Sequence, residues 1–100
     1  MELKNKVAII TGASSGIGRA IAKSLNQENV RLVLASRDEE KLNALKKELD
    51  GEVLVMPTDV RDTNRMQEVA NATLKNFGRI DIIVNNAGIM PLSYLKNRHI

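Results

Sequence analysis

The residues with the clearest chemical potential lie near the start of the chain, in the segment TGASSGIG at residues 11–18. Its glycines follow the spacing G-x-x-x-G-x-G. Gly12 lets the chain leave a strand in a tight turn, and Gly16 keeps a Cβ out of the path of an approaching phosphate. Gly18 allows the next helix to pack closely on the sheet, and the amides near Ile17 would point at a pyrophosphate. The pattern favours a phosphate-binding loop over an unliganded glycine turn, and it is not a Walker P-loop because no Gly-Lys-Ser/Thr follows.

Polar residues also follow the later apolar runs of the chain. Arg37 comes shortly after the second run and is either a cation for a phosphate group or a solvated loop residue. Asp59 follows the third run and is either a ligand contact or a cap for the next turn. Asn85 and Asn86 follow the fourth run. A buried Asn must satisfy its donors and its acceptor, so two in succession indicate a structural or binding role.

Short β-branched runs alternate with helical patterns of about a dozen residues, which predicts the elements that position these side chains. The predicted strands span residues 7–11, 30–35, 53–56 and 81–84. The predicted helices are residues 17–27, a segment that starts after Ser36 or Asp38 and ends at Gly51, and a segment from Asp62 or Thr63 to residue 77. Their predicted buried faces are Ile17, Ala20, Ile21 and Leu25, then Leu42, Leu45 and Leu49, then Met66, Val69, Ala70, Leu74 and Phe77.

The order β-α-β-α-β-α-β, with strands that are apolar on both faces, predicts an α/β fold. Helices should cover both sides of a doubly wound parallel sheet with strand order 3-2-1-4. The strand at residues 81–84 would form an edge without the Lys, Pro or bulge that natural edges usually carry. We therefore expect a neighbouring strand to be missing. The length of 100 residues leaves room for one core.

Composition excludes several classes of protein. Apolar residues make up 43% and charged residues 27% of the chain, as in globular rather than disordered proteins. The sequence has no cysteine, so neither a disulfide framework nor a thiolate metal site is expected. Apolar runs of only about four residues are too short for a signal peptide or a membrane span. A cytoplasmic protein is the resulting expectation.

Charge and aromatic content bear on the partner. The chain carries a net charge of +3, one Phe, one Tyr and no Trp. The basic residues are scattered and the aromatic residues are few, so no nucleic-acid partner is expected. Basic residues outnumber acidic ones in residues 1–37, which would favour a phosphate-bearing ligand there. The lone His99 has no partner at metal-ligand spacing, and no metal site is expected.

Three segments together resemble the cofactor signature of the short-chain dehydrogenase/reductase family. They are the glycine segment at residues 11–18, the pair Asp59-Val60 and the segment NNAG at residues 85–88. They stand in the family's order and spacing, and the resemblance covers essentially the whole chain. It implies a Rossmann fold and oxidoreduction of alcohols and carbonyls with NAD(H) or NADP(H). By this resemblance residues 1–100 are the N-terminal part of a single NAD(P)-binding domain that lacks its C-terminal strands.

The resemblance also assigns cofactor contacts. Asp59 is similar to the residue that accepts a hydrogen bond from the adenine amino group, while the Val60 amide donates to the ring. The segment from Asn86 to Gly88 resembles the stretch under the nicotinamide ribose, and Asn85 resembles a residue that ties neighbouring strands together. The expected cofactor-binding residues are Thr11, Gly12, Ser14, Ser15, Gly16, Ile17, Gly18, Ser36, Arg37, Asp59, Val60, Asn86, Ala87 and Gly88.

The end of the second predicted strand favours NADP over NAD. An acidic residue there would bind the ribose 2′-hydroxyl of NAD, whereas an Arg accommodates the 2′-phosphate of NADP. Here Ser36 occupies the position of the acid and Arg37 follows it directly. Arg37 would give the phosphate a charge-assisted fork, with hydroxyl contacts from Ser14, Ser15 or Ser36.

The residues that perform chemistry in the family have no match in this sequence. A family member uses Tyr-x-x-x-Lys, with a Ser that orients the substrate and a later Asn. The only Tyr is Tyr94, which lies directly after the NNAG segment and is followed at the Lys position by Arg98. No catalytic residue is therefore assigned, and the chain alone is expected to be inactive. The complete enzyme would act on a small carbonyl or alcohol as a homo-oligomer. The alternative is a stand-alone dinucleotide-binding module without catalysis.

Overall fold

A computed structural model describes residues 2–59 and 61–86 of the chain. Four parallel strands form one sheet in the order β3-β2-β1-β4, which confirms the predicted fold class and strand order. The strands are β1 (Val7–Thr11), β2 (Arg31–Ser36), β3 (Val53–Pro57) and β4 (Ile82–Asn85), and the helices are α1 (Gly16–Gln27), α2 (Glu39–Lys47) and α3 (Thr63–Phe77).

Alternating side chains of the central strands build a core on each face of the sheet. Ala8 and Ile10 of β1 point to the face that α1 and α2 cover, where Leu42 and Leu45 are fully buried. Ile9 points to the opposite face, which α3 covers with its own buried side chains. Because both faces of β1 and β2 are buried, these strands are apolar throughout, as parallel sheets require.

Each helix begins at a side chain that caps its free backbone amides. Ser15 caps α1 by accepting a hydrogen bond from the Gly18 amide. Asp38 caps α2, and Asp62 caps α3. The sequence left two possible starts for α2 and for α3. Asp38 and not Ser36 caps α2, and Asp62 caps α3, of which Thr63 is the first helical residue. Because each helix follows the carboxyl end of one parallel strand and leads back to the amino end of the next, every helix starts beside the strand ends.

Several sequence expectations are corrected by the packing. Ile17 and Ala20 are exposed: Ile17 lies in the first turn of α1, and Ala20 lies on the face opposite the buried Gly18 and Ala22. The predicted Ile21 and Leu25 do pack against the core, and the fully buried positions of α1 are Gly18 and Ala22. Helix α2 ends at Lys47 and not at Gly51, whose φ of 78° lies in the turn that leads into β3.

An ion pair fastens the amino edge of the sheet. Asp81 accepts the Val7 backbone N–H at 2.9 Å, and its own backbone N–H donates to the Val7 carbonyl at 2.9 Å. The Arg79 guanidinium holds the same carboxylate through two hydrogen bonds of 2.8 Å. Together these contacts set the start of β1 against the residue that precedes β4.

Candidate functional site

The ends of the parallel strands bring the predicted ligand-binding residues to one edge of the sheet. Thr11 pairs in register with Ala35 on one side and with Asn85 on the other. Ser36 pairs with Pro57 at the end of β3. The glycine loop therefore lies between the end of β2 and the end of β4. In open α/β sheets this carboxyl edge is where ligands bind.

The glycine loop is a tight turn with a close approach between its two ends. Gly12 has φ of 63°, a backbone conformation that favours glycine. A Cβ on Gly18 would lie 2.2 Å from the Gly12 carbonyl oxygen, so this position packs against the loop itself more than against the sheet. A Cβ on Gly16 would meet nothing within 4 Å, which leaves open space above the first turn of α1.

Ser15 and Asn86 join the glycine loop to the end of β4. The Ser15 hydroxyl donates to the Gly12 carbonyl at 2.8 Å and accepts the Gly18 amide at 3.1 Å. The Asn86 side-chain amide donates to the same hydroxyl at 2.8 Å and reaches the Gly12 carbonyl at 3.4 Å. The Asn86 side chain therefore positions the loop from a distance of 71 residues in sequence.

Thr11 completes this junction from β1. Its hydroxyl accepts the Asn86 backbone N–H at 3.0 Å. The same hydroxyl lies 3.3 Å from the Val84 carbonyl and 3.2 Å from the Asn85 side-chain oxygen, which are its two possible acceptors. Asn85 thus links neighbouring strands through its side chain, the arrangement expected for it from sequence.

The end of β2 presents a pair of hydroxyl groups and a cation. The Ser14 and Ser36 hydroxyls lie 2.7 Å apart and connect the glycine loop to β2. Ser36 is only 6% exposed, and its hydroxyl also accepts the Asp38 backbone N–H at 3.1 Å. Arg37 is exposed beside them, and within residues 2–59 and 61–86 it forms no salt bridge.

Asp59 lies just past the end of β3 and is held by Arg61. Its Oδ1 accepts the Arg61 backbone N–H at 3.0 Å and the Arg61 Nε at 3.2 Å, while Nη2 lies 3.4 Å from Oδ2. Hydrogen bonds from the Arg61 side chain and backbone lower the pKa of the Asp59 carboxyl, and the positive charge of Arg37 lowers it further. Sequence reasoning missed Arg61, although an Arg two residues after an Asp at a strand end is a signal that could have found it.

Some predicted residues lie outside the described part of the chain. Val60, Ala87 and Gly88, expected to contact the cofactor, are among them, as is the segment with Tyr94.

No cluster of three or more potential metal ligands occurs within the described ranges. None of the helices there is long and apolar enough to cross a membrane.

A groove of about 650 Å³ lies away from this edge, beyond the amino ends of the strands. Two of the polar side chains that line it are held by protein partners. Asn26 exchanges two hydrogen bonds with the Asp50 backbone, and the Arg31 guanidinium donates to the Asn5 carbonyl. The residues expected to bind a ligand meet at the carboxyl edge and not at this groove, so the carboxyl edge is the candidate site.

Comparison with known proteins assigns the class that this fold and loop define. A family model described as short chain dehydrogenase matches residues 6–99. The chain therefore belongs to the short-chain dehydrogenase family of oxidoreductases.

Individual relatives agree with this assignment. An uncharacterized oxidoreductase of Staphylococcus epidermidis is 44% identical over 87 residues, which cover 87% of this chain and 38% of that protein. A metagenomic short-chain oxidoreductase solved in complex with NADP superposes with a TM-score of 0.81 at 40% identity, over 89% of this chain and 42% of that one. A short-chain dehydrogenase/reductase from Burkholderia phymatum, solved with NAD, gives a TM-score of 0.74 at 37% identity, over 83% and 31% of the two chains. The chain thus spans about two fifths of the length of the curated relative.

Proposed function

We propose that this chain binds NADP(H) along the carboxyl edge of its sheet, as the N-terminal part of an NAD(P)-binding domain. The observation that carries the proposal is the open space above Gly16 at the start of α1, beside a loop held in place by Ser15 and Asn86. Similar solved proteins hold NAD or NADP, which supports a nicotinamide dinucleotide as the ligand.

The pyrophosphate would lie over the first turn of α1. The first amides of a helix have no acceptor within the helix, and Ser15 caps only the Gly18 amide. The amides of Gly16 and Ile17 would therefore donate to phosphate oxygens, helped by the helix dipole. Ile17 is 67% exposed, and a dinucleotide laid across this turn would cover its side chain. The Ser15 hydroxyl is occupied by the loop itself, so its role would be to shape the turn.

The 2′-phosphate would lie at the end of β2. Arg37 would supply a charge-assisted fork, and the Ser14–Ser36 hydroxyl pair would supply further hydrogen bonds. The Ser36 position carries no carboxylate that would repel the phosphate or bind a 2′-hydroxyl. This arrangement favours NADP(H) over NAD(H).

The two ends of the dinucleotide would be held by residues after β3 and β4. Asp59 would accept a hydrogen bond from the adenine amino group through Oδ2, because the Arg61 guanidinium contacts Oδ2 at a longer distance than Oδ1. Val60 would donate its amide to the ring. The backbone from Asn86 through Ala87 to Gly88 would pass under the nicotinamide ribose, with Thr11 fixing the start of that segment.

In a complete enzyme of this family the bound nicotinamide would exchange a hydride with a carbonyl or alcohol carbon. This chain would contribute cofactor binding and orientation, and the complete enzyme would be a homo-oligomer. Because no matched Ser, Tyr and Lys group occurs in the sequence, the chain alone should bind dinucleotide without turning it over. A stand-alone binding module remains the second candidate, and the continuation of the reading frame distinguishes the two.

Arg37→Ala tests the proposed cofactor preference. The fluorescence of NADPH and of NADH can be titrated directly, since the sequence contains no Trp. Loss of the Arg–phosphate fork should weaken NADPH binding by roughly tenfold or more and leave NADH binding within about twofold. Lys75→Ala, which also removes one positive charge but lies in the last turn of α3, is the matched control. Equal weakening of both nucleotides by Arg37→Ala would refute the preference.

A further inference from the structure

Asp59 and Arg61 form a compact ion pair at the adenosine end of the candidate site. The carboxylate receives both the backbone N–H and the Nε of Arg61 on Oδ1, at 3.0 and 3.2 Å, and Nη2 approaches Oδ2 at 3.4 Å. The two side chains are 41% and 69% exposed, so the pair lies at the surface where a ligand can reach it. The backbone N–H and the guanidinium both hold the carboxylate, so Arg61 places a positive charge directly against Asp59.

A second cation, Arg37, lies directly after the neighbouring strand β2. Arg37 directly follows Ser36, which pairs in register with Pro57, and Asp59 is two residues past that proline. The Thr58 backbone N–H donates to the Ser36 carbonyl at 2.7 Å, so the two strand ends stay together up to this point. The positive charge of Arg37 is close enough to favour the ionised form of Asp59.

This placement creates a conflict for a 2′-phosphate. An uncompensated carboxylate beside Arg37 would attract that guanidinium and would repel the doubly charged phosphate. The Asp59 carboxylate would then favour the contact with adenine but weaken the binding of the 2′-phosphate. The positive charge of the Arg61 guanidinium would offset the charge of the Asp59 carboxylate and so reduce both effects.

We propose that Arg61 determines dinucleotide specificity by neutralising Asp59, which leaves Arg37 available to the 2′-phosphate. The proposal deepens the proposed function and rests on it. Counting Arg37, Asp59 and Arg61, the local charge is +1 as the chain stands. Arg61→Gln makes it zero, Asp59→Asn makes it +2, and the two changes together restore +1. Selectivity for the 2′-phosphate should follow this local charge.

The test compares adenosine 2′,5′-bisphosphate with 5′-AMP by equilibrium dialysis or calorimetry on this chain. The two ligands differ only in the 2′-phosphate and need only the adenosine end of the site. Selectivity is the ratio of their dissociation constants. At about 0.1 M salt the Debye length is roughly 10 Å, so charges near the phosphate dominate. Circular dichroism of each variant verifies that it is folded.

Arg61→Gln should lower the selectivity by about twofold to fivefold, the range produced by surface charge pairs. Asp59→Asn should raise the selectivity by a similar factor. It should also weaken the binding of both ligands, because the contact with adenine is lost. The double variant should recover the original selectivity, measurably above that of Arg61→Gln. Lys75→Gln, which removes an exposed cation from the last turn of α3 at the opposite end of that helix, should leave the ratio unchanged.

An unchanged ratio in Arg61→Gln would overturn the proposal. So would a double variant with selectivity as low as that of Arg61→Gln, since this would mean that Arg61 contacts the phosphate directly. If the unsubstituted chain fails to favour the bisphosphate, the proposed NADP(H) preference falls and this inference falls with it. The first two results leave that preference standing, so the two failures are distinguishable.

Discussion

Replacing Gly18 by alanine would place a Cβ 2.2 Å from the Gly12 carbonyl oxygen and 2.9 Å from the Ala13 Cα. Non-bonded heavy atoms settle at roughly 3.5 Å, so the loop and the first turn of α1 would have to separate by about 1 Å. The obstructing atoms belong to the backbone and cannot move aside by a change of rotamer. Overpacking of this kind costs about 1–3 kcal/mol, and the better helix propensity of alanine returns up to about 1 kcal/mol.

The net loss for Gly18→Ala should therefore be about 1–2 kcal/mol in the absence of any ligand. For a domain of this size that loss lowers Tm by roughly 5–15 °C. Thermal and urea unfolding followed by circular dichroism measure it directly. NADPH binding should weaken as well, because the shift moves the first-turn amides that would hold the pyrophosphate.

Gly16→Ala is the matched control, two residues away in the same helical turn. Its Cβ would meet no atom within 4 Å, so the unliganded chain should keep its stability within about 0.5 kcal/mol. The same Cβ would occupy the space proposed for the phosphate, and NADPH affinity should fall at least about tenfold.

The reasoning would be refuted if Gly18→Ala unfolded at the same temperature as the unsubstituted chain. It would also fail if the two variants changed stability and affinity in the same proportion, because the structure assigns them separate causes. Gly18 packs against the loop, whereas Gly16 borders the open space that we propose for the ligand.

Two further results are expected at the edges of the sheet. Although partial burial opposes ionisation of Asp81, hydrogen bonds from Arg79 and the Val7 N–H lower its pKa on balance. This interaction should stabilise the fold above about pH 4 and lose its contribution as the pH falls through the folded-state pKa. Asp81→Asn should flatten that part of the acid dependence in urea titrations, and an unchanged profile would count against it. Asn86→Ala should lower the unfolding free energy by about 1 kcal/mol. Because Asn86 and Ser15 share a hydrogen bond, a double-mutant cycle in thermal unfolding should show that the effects of Asn86→Ala and Ser15→Ala are less than additive. Full additivity would contradict the shared hydrogen bond.

Much of the fold follows from local pattern and general rules of chain topology. Apolar runs such as residues 7–11 can only be buried on both faces, and the helical patterns between them act as crossovers of a parallel sheet. The capping side chains Asp38 and Asp62 and the positive φ of Gly12 are equally local features. Local pattern therefore accounts for the elements and for the place of the glycine loop, and the rules for parallel crossovers account for the doubly wound sheet.

Burial at the helix ends was harder to predict. Ile17 fits the apolar periodicity of α1, yet it is 67% exposed because the helix begins beyond the edge of the sheet. Periodicity defines which residues share a face, but the extent of the surface beneath that face depends on neighbouring strands. The same limit applies to Leu49, which packs on the core although α2 already ends at Lys47.

The residue types of the site are present in the sequence, together with the glycine spacing that makes a phosphate cradle possible. The pairing of those residues comes from the sheet, which brings Asn86 to Ser15 and Ser14 to Ser36 across long stretches of chain. The charge balance at the proposed adenosine end has the same origin. Arg61 lies close to Asp59 along the chain, but Arg37 joins them only because β2 and β3 end side by side. Interactions across strands depend on register, and register follows from the packing of the whole core, which no local pattern contains.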